Sequence, residues 1–304
     1  MFGQSLLSAF DAAPPLVPAD NFNTVLYNGN GGTQSITSVG FAPDFTWIKS
    51  TTLAVDHAAF DTVRGATKYL SPSTTGAEGT YSTVLNAFGS NGFTVGSNAG
   101  VNFSGQTYVS WNWKAGGTAV SNTDGTITSQ VSANVYAGFS VITYNGATNA
   151  TADTSNNGGA YWSVAHGLGA APDLVFVKKT NGAGGWYVGG AALGSTGVNG
   201  NHLVLDSTAA QVGEANILWG GSQTFNATTF GLGGWDVVNR NGDSYVAYCF
   251  KSISDYSKVG SFVGTGTSGN FVYVGFQPRF VLVKPIYADS WRIVGFNGTY
   301  ELRP

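Results

Sequence analysis

A ten-residue pattern returns three times along this chain of 304 residues and restricts its fold more than any other feature. It reads Gly40-Phe41-Ala42-Pro43-Asp44-Phe45-Thr46-Trp47-Ile48-Lys49, then Gly169-Ala170-Ala171-Pro172-Asp173-Leu174-Val175-Phe176-Val177-Lys178, then Gly275-Phe276-Gln277-Pro278-Arg279-Phe280-Val281-Leu282-Val283-Lys284. An aromatic-x-Gly turn precedes each copy: Tyr27-Asn28-Gly29, Tyr144-Asn145-Gly146 and Phe262-Val263-Gly264, spaced 117 and 118 residues apart. A closing segment occurs twice, as Thr107-Tyr108-Val109-Ser110-Trp111-Asn112-Trp113-Lys114 and Ser244-Tyr245-Val246-Ala247-Tyr248-Cys249-Phe250-Lys251. A unit this long exceeds the roughly 20–50 residues of a solenoid repeat. It suits a small domain used in tandem, twice in full and a third time in part.

Within each unit the apolar residues follow a strand period. After the anchor proline, which cannot donate to a ladder and so marks strand entry, Phe45 and Trp47 take one face and Ile48 the other. Leu174 and Phe176 oppose Val175 and Val177, and Phe280 and Leu282 oppose Val281 and Val283. A strand apolar on both faces is covered on both. In the closing segments Val109, Trp111 and Trp113, or Val246, Tyr248 and Phe250, share one face; Ser110 and Asn112, or Ala247 and Cys249, take the other. Asn91-Gly92, Asp124-Gly125 and Asn241-Gly242 are tight-turn signals between such runs.

Composition agrees. The 44 glycines are about twice the usual share of roughly 7%. Charged residues make up 10%, while aromatics reach 13%. Disorder and a helical fold are both disfavoured by that mixture. The expected fold is all-β, in tandem β-sandwich (jelly-roll-like) repeats. The expected boundaries are an N-terminal segment at 1–20, repeats at 21–116 and 136–256, a connector at 117–135 and a partial repeat at 257–304. Thr126 to Val131 is the one strand-like run in the connector.

The net charge of −3, spread without a basic stripe, argues against nucleic acid. No run of about 20 residues stays apolar, so no membrane-inserting helix is expected. Cys249 stands alone, without a disulfide partner. At the start Phe2, Leu6, Leu7 and Phe10 fall near one face of a short helix, a candidate anchor.

Chemistry is sparse. Asp56 and His57 are adjacent, which in a strand sends them to opposite faces, and no nucleophile-elbow motif accompanies them. His166 reads as a turn cap or core-edge residue, and His202, in a Gly- and Asn-rich loop, as solvated. Asp206, Glu214, Asp236 and Asp243 are carboxylates near one another in sequence, each beside turn residues that they more readily support. Asp236, Asn239, Asn241 and Asp243 resemble part of a calcium loop without its bidentate Glu. No catalytic residue, metal site or cofactor is expected. Trp186, Trp219, Trp235 and Trp291 flank Gly-, Asn- or Ser-rich segments and are candidates for surface recognition, since exposed aromatics stack on sugars or bind protein; ordinary core tryptophan is the competing reading and comes first for any one of them.

Several segments are familiar together. Phe22-Asn23-Thr24-Val25-Leu26-Tyr27-Asn28-Gly29-Asn30-Gly31, the first anchor, Phe60-Asp61-Thr62-Val63-Arg64-Gly65, Ser90-Asn91-Gly92-Phe93-Thr94-Val95-Gly96 and His166-Gly167-Leu168-Gly169 resemble a repeat domain of tailed-bacteriophage virion proteins. That domain occurs in tail-fibre-like and structural proteins of phages of marine bacteria and cyanobacteria. The opening Phe2-Gly3-Gln4-Ser5-Leu6-Leu7 is similar to the start of tail-associated proteins. The resemblance implies a non-enzymatic virion structural protein, in a fibre, spike or appendage engaged in host attachment. It implies a homotrimer with other virion proteins and a host surface glycan or protein as partners, and it brings no catalytic residues. A capsid or baseplate decoration protein and a host-polysaccharide depolymerase are the alternatives.

Overall fold

The structure is a computed structural model and describes residues 16–148, 161–195, 200–213, 218–220, 225–295 and 298–302. Its first part holds β1 (Phe22–Asn28), β2 (Gln34–Ile36), β3 (Phe45–Ser50), β4 (Ala58–Asp61), β5 (Lys68–Tyr69), β6 (Gly79–Thr80), β7 (Leu85–Gly89), β8 (Gly92–Val95) and β9 (Thr107–Trp113), with a one-turn helix, α1 (Ala99–Asn102). Next come β10 (Val120–Asn122), β11 (Ser129–Asn134), β12 (Phe139–Asn145), β13 (Trp162–Ala165), β14 (Leu174–Lys179) and β15 (Trp186–Gly189). They are followed by β16 (Asn201–Val204), β17 (Val212–Gly213), β18 (Thr229–Leu232) and β19 (Ser244–Phe250). The last are β20 (Phe280–Val283), β21 (Trp291–Gly295) and β22 (Gly298–Leu302). The fold is all-β.

Each anchor proline sits two residues ahead of a strand: β3, β14 and β20. These strands belong to three antiparallel inner sheets. The first has the order β1-β9-β3-β4, the second β10-β11-β12-β19-β14-β15-β16-β17 and the third β20-β21-β22. Residues 117–135 do more than connect, because β10 and β11 lie there and extend the second sheet. Two smaller sheets, β2-β8-β7 and β13-β18, form a second layer.

Side-chain alternation distributes the inner-sheet residues between cores. Ile48, Tyr27, Phe60 and Tyr108 face the β2-β8-β7 layer with Ile36, Phe93 and Val95. Val175, Val177, Tyr245, Ala247 and Cys249 face β13-β18 with Val164, Phe230 and Leu232. The opposite faces meet in one shared core: Phe45, Trp47, Trp111 and Trp113 from the first sheet, Phe139, Phe176 and Tyr248 from the second, Trp291 and Ile293 from the third. Sandwich packing therefore accounts for strands apolar on both faces.

Positions that correspond by distance from the nearest repeated motif make the same bonds in the first two sheets. Tyr27 stacks on Tyr108, and Tyr144 on Tyr245, each at 5.2 Å and 16°. The Tyr27 hydroxyl donates to the Val101 carbonyl and that of Tyr144 to Val238, both at 2.7 Å. Asp44 Oδ2 accepts from the Ala115 amide at 2.8 Å, as Asp173 Oδ2 does from Ser252 at 2.7 Å. Asn102 Oδ1 accepts from the Asn30 amide and Asn239 Oδ1 from Ala147, both at 2.9 Å.

The three sheets touch in a cycle. Phe45 of the first lies 4.4 Å from Tyr248 of the second. Phe280 of the third lies 5.6 Å from Trp111 of the first, the position that corresponds to Tyr248. Trp186 Nε1 reaches back to the Ser71 carbonyl at 2.8 Å, and Trp291 Nε1 to the Val204 carbonyl at 2.9 Å. The Glu78 amide donates to Thr180 and the Gln211 amide to Ile286, both at 2.8 Å. The contacts from second to first sheet thus recur from third to second.

Candidate functional site

Burial decides the fate of the tryptophans singled out in the sequence. Trp186, Trp219 and Trp291 are 1%, 0% and 4% exposed, so these three are corrected to core residues. The polar loops around them conceal the fact that each ring fills a junction or a sheet face. A Cβ on Gly189 would stand 2.2 Å from the Trp219 ring, so glycine there is what lets the indole lie against β15. Trp235 is half-buried beside Tyr187 at 5.5 Å and His202 at 6.2 Å. Phe2, Leu6, Leu7 and Phe10 lie outside the described residues.

The histidines are built into the fold. His202, expected in solvent, is 4% exposed, because β16 carries it under Tyr187 and Trp235. His57 Nδ1 accepts from Trp47 Nε1 at 2.9 Å. His166 Nδ1 accepts from the Leu168 amide at 3.1 Å and its Nε2 faces the Asn226 carbonyl at 3.1 Å, as a turn cap should. Burial lowers its pKa, favouring the neutral ring.

The carboxylates are likewise engaged. Asp243 Oδ2 pairs with Lys179 Nζ at 2.6 Å, and Asp236 stands 4.0 Å from Arg240. Asn239 spends its amide on Ala147 and Gly233. Asn241 donates to the Thr148 carbonyl. Glu214 lies outside the described residues. Among the described residues no group of three His, Cys, Asp or Glu is placed to hold a metal ion. Burial pushes the Cys249 thiol well up, away from the reactive thiolate.

Two polar features stand out. The first joins the first and second sheets. Asp61, fully buried at the end of β4, accepts from Arg64 Nε at 2.5 Å and from the Tyr248 hydroxyl at 2.7 Å. Arg64 also donates to Glu78 at 3.1 Å, to the Lys68 and Ala59 carbonyls and to Tyr248. Burial opposes the Arg64 charge, but Asp61, Tyr248 and Glu78 outweigh it and hold the cation. Nearby, Lys178 is wholly buried with Nζ donating to the Lys179 carbonyl at 2.9 Å. Burial lowers its pKa to about 8, against the pull of Asp206. Asp206, raised by burial, accepts from the Trp186 amide at 2.7 Å. A guanidinium with every donor engaged and a carboxylate without access to solvent do not perform chemistry; they lock two sheets in register. Only part of this joint shows in the sequence. The Asp-x-x-Arg spacing is visible in it, but Tyr248 stands 184 residues from Arg64.

The second feature is an open groove of about 540 Å³ on the second sandwich, lined by Thr126, Thr128, Asn145, Thr148, Tyr161 and Trp162. Tyr161 is 41% exposed. Thr126 and Ser163 fix one wall by reciprocal bonds of 2.8 and 3.1 Å. Aromatic faces beside amide and hydroxyl groups give a surface able to stack on and hydrogen-bond to a neutral polar ligand.

No curated protein and no solved structure matches the chain. One family does: its description is "Domain of unknown function (DUF7483)", the match runs over residues 17–297 and so takes in all three anchors, and the chain belongs to that family.

Proposed function

We propose that the chain is a non-enzymatic structural protein of a tailed-phage virion, in a fibre, spike or appendage that serves host attachment. The observation that carries this reading is repetition: corresponding residues make the same tyrosine stack, the same aspartate cap and the same junction bonds at successive anchors. We read them as tandem modules, two complete and a third partial, which build a rigid body with recurrent surfaces. The segments from Phe22 to Gly169 named above resemble virion repeat domains, and that resemblance supplies the location, the homotrimer and the partner virion proteins. A host glycan is the attachment partner best matched to the Tyr161 and Trp162 groove.

Cryo-electron microscopy of the particle tests the location, with this chain expected in an appendage; its absence from the virion overturns the reading. Light scattering is expected to give three times the chain mass, and a stable monomer removes the trimer. Incubation with host capsule or lipopolysaccharide is expected to release no reducing ends. Tyr161→Ala is expected to weaken glycan binding several-fold with an unchanged melting temperature.

A further inference from the structure

The groove on the second sandwich offers a ring and donors but no charge. Tyr161 lies against Gly220, where a Cβ would stand 2.8 Å from the Tyr161 Cδ1, so the ring is seated on one side while the residue stays exposed. Asn145 Oδ1 accepts from the Ser244 hydroxyl at 2.9 Å, which fixes the amide; its Nδ2 has no hydrogen-bond partner among the described residues. Thr128 is exposed, with its hydroxyl likewise unengaged among the described residues. No charged side chain lines the groove. The charges beside it face each other. Asp243, whose carbonyl accepts from the Gly146 amide, pairs through its carboxylate with Lys179 at 2.6 Å. Arg240, whose backbone abuts Gly146, has Asp236 at 4.0 Å.

Taking the groove's ligand as a host glycan, we infer that it binds a neutral pyranose unit, at one site per chain, and discriminates against uronic and other acidic sugars. The C–H face of a pyranose is apolar and matches the electron-rich face of the Tyr161 ring. Sugar hydroxyls accept from the Asn145 amide and exchange hydrogen bonds with Thr128. A carboxylate in the same place gives up hydration and meets no unpaired cation.

The two other anchored units lack these parts. Phe93 and Phe230 stand nine residues ahead of Asn102 and Asn239, and their strand partners are Ile36 and Val164. Three residues before those partners lie Thr33 in the first sandwich and Tyr161 in the second, so the first has a small polar side chain in place of the ring. At the third aromatic-x-Gly turn Val263 takes the place of Asn145 and removes the amide. Repetition of the scaffold therefore does not multiply this site within one chain.

The test uses the whole chain and the methyl pyranosides of glucose, galactose, mannose and N-acetylglucosamine, with methyl glucuronide and methyl galacturonide beside them, titrated by ligand-observed NMR. At least one neutral sugar is expected to bind with a Kd of about the millimolar range, as suits a ligand of this size. The uronide of the same parent sugar is expected to bind at least about tenfold more weakly. Tyr161→Thr, which installs the first sandwich's residue, is expected to abolish saturable binding without moving the melting temperature, and Tyr161→Phe to keep it. Asn145→Asp, which removes the donor and adds a charge, is expected to weaken binding about tenfold. Three results overturn the inference. A uronide that binds as tightly as its neutral parent removes the charge class and leaves glycan attachment standing. Saturable binding that survives Tyr161→Thr places the sugar elsewhere on the chain. Binding of no sugar from either class removes the glycan reading of the groove as well.

Discussion

The first and second sandwiches share their hydrogen-bond geometry and differ in what they bury. On the layer-facing side of β9, Thr46 donates to Asn112, and Asn112 donates to the Asn23 carbonyl and to Ser110. The corresponding positions in the second sandwich are Val175, Cys249 and Ala247, all apolar and buried. One site is a satisfied polar network; the other is apolar except for the buried Ser140 beside Cys249, within the same strand order. Geometry constrains such a position to be buried and small; it does not constrain polarity, because a buried polar group costs little once every partner is present. The joint at Asp61 has no such twin. Its counterpart, just after β15, is Gly190, held at φ +141, where a Cβ would stand 2.1 Å from the Asp173 carbonyl oxygen, so no side chain fits there.

The largest effect is expected at that joint. Asp61→Ala leaves Arg64 buried against Tyr248 without its main counter-charge, and should cost about 3–5 kcal/mol in denaturant unfolding. Next is the polar network. Asn112→Ala should cost about 1–3 kcal/mol by orphaning the buried Thr46 hydroxyl and taking away a partner of Ser110. The triple change Thr46→Val, Ser110→Ala and Asn112→Cys, which installs the second sandwich's residues, should cost less than the single one; a larger loss would break the equivalence of the two sites.

A pH effect follows from Lys178. Its folded pKa of about 8 lies below the ordinary 10.5. Between those values the unfolded chain binds the proton that the fold has released, so stability should rise with pH from about 8 towards 10. The rise should be on the order of 1 kcal/mol and be absent from Lys178→Met, as urea midpoints across that window would show. The smallest effect tests sameness. Tyr27→Phe and Tyr144→Phe each remove one carbonyl-directed hydroxyl and should each cost about 1 kcal/mol, equal within error.

Local periodicity makes much of this legible. The two-faced strands after each proline, the face carrying Trp111 and Trp113, and the turn role of His166 all follow from residues within a few positions of one another. The buried state of Trp186, Trp291 and His202 does not, because each is covered by a segment from elsewhere in the chain. Trp186 meets Ser71, 115 residues away. Gly-rich neighbours suggest exposure, yet at Gly189 the missing side chain makes room for an indole. The groove at Tyr161 is equally hidden, since it is assembled from β12, β13 and the approach to β11.

Because all three sheets that meet around Phe45, Tyr248 and Phe280 are tethered on one polypeptide, dilution cannot separate them. A threefold complex held by the same contacts would fall apart below its dissociation constant. Here the partners stay at a fixed effective molarity, and only unfolding takes them apart.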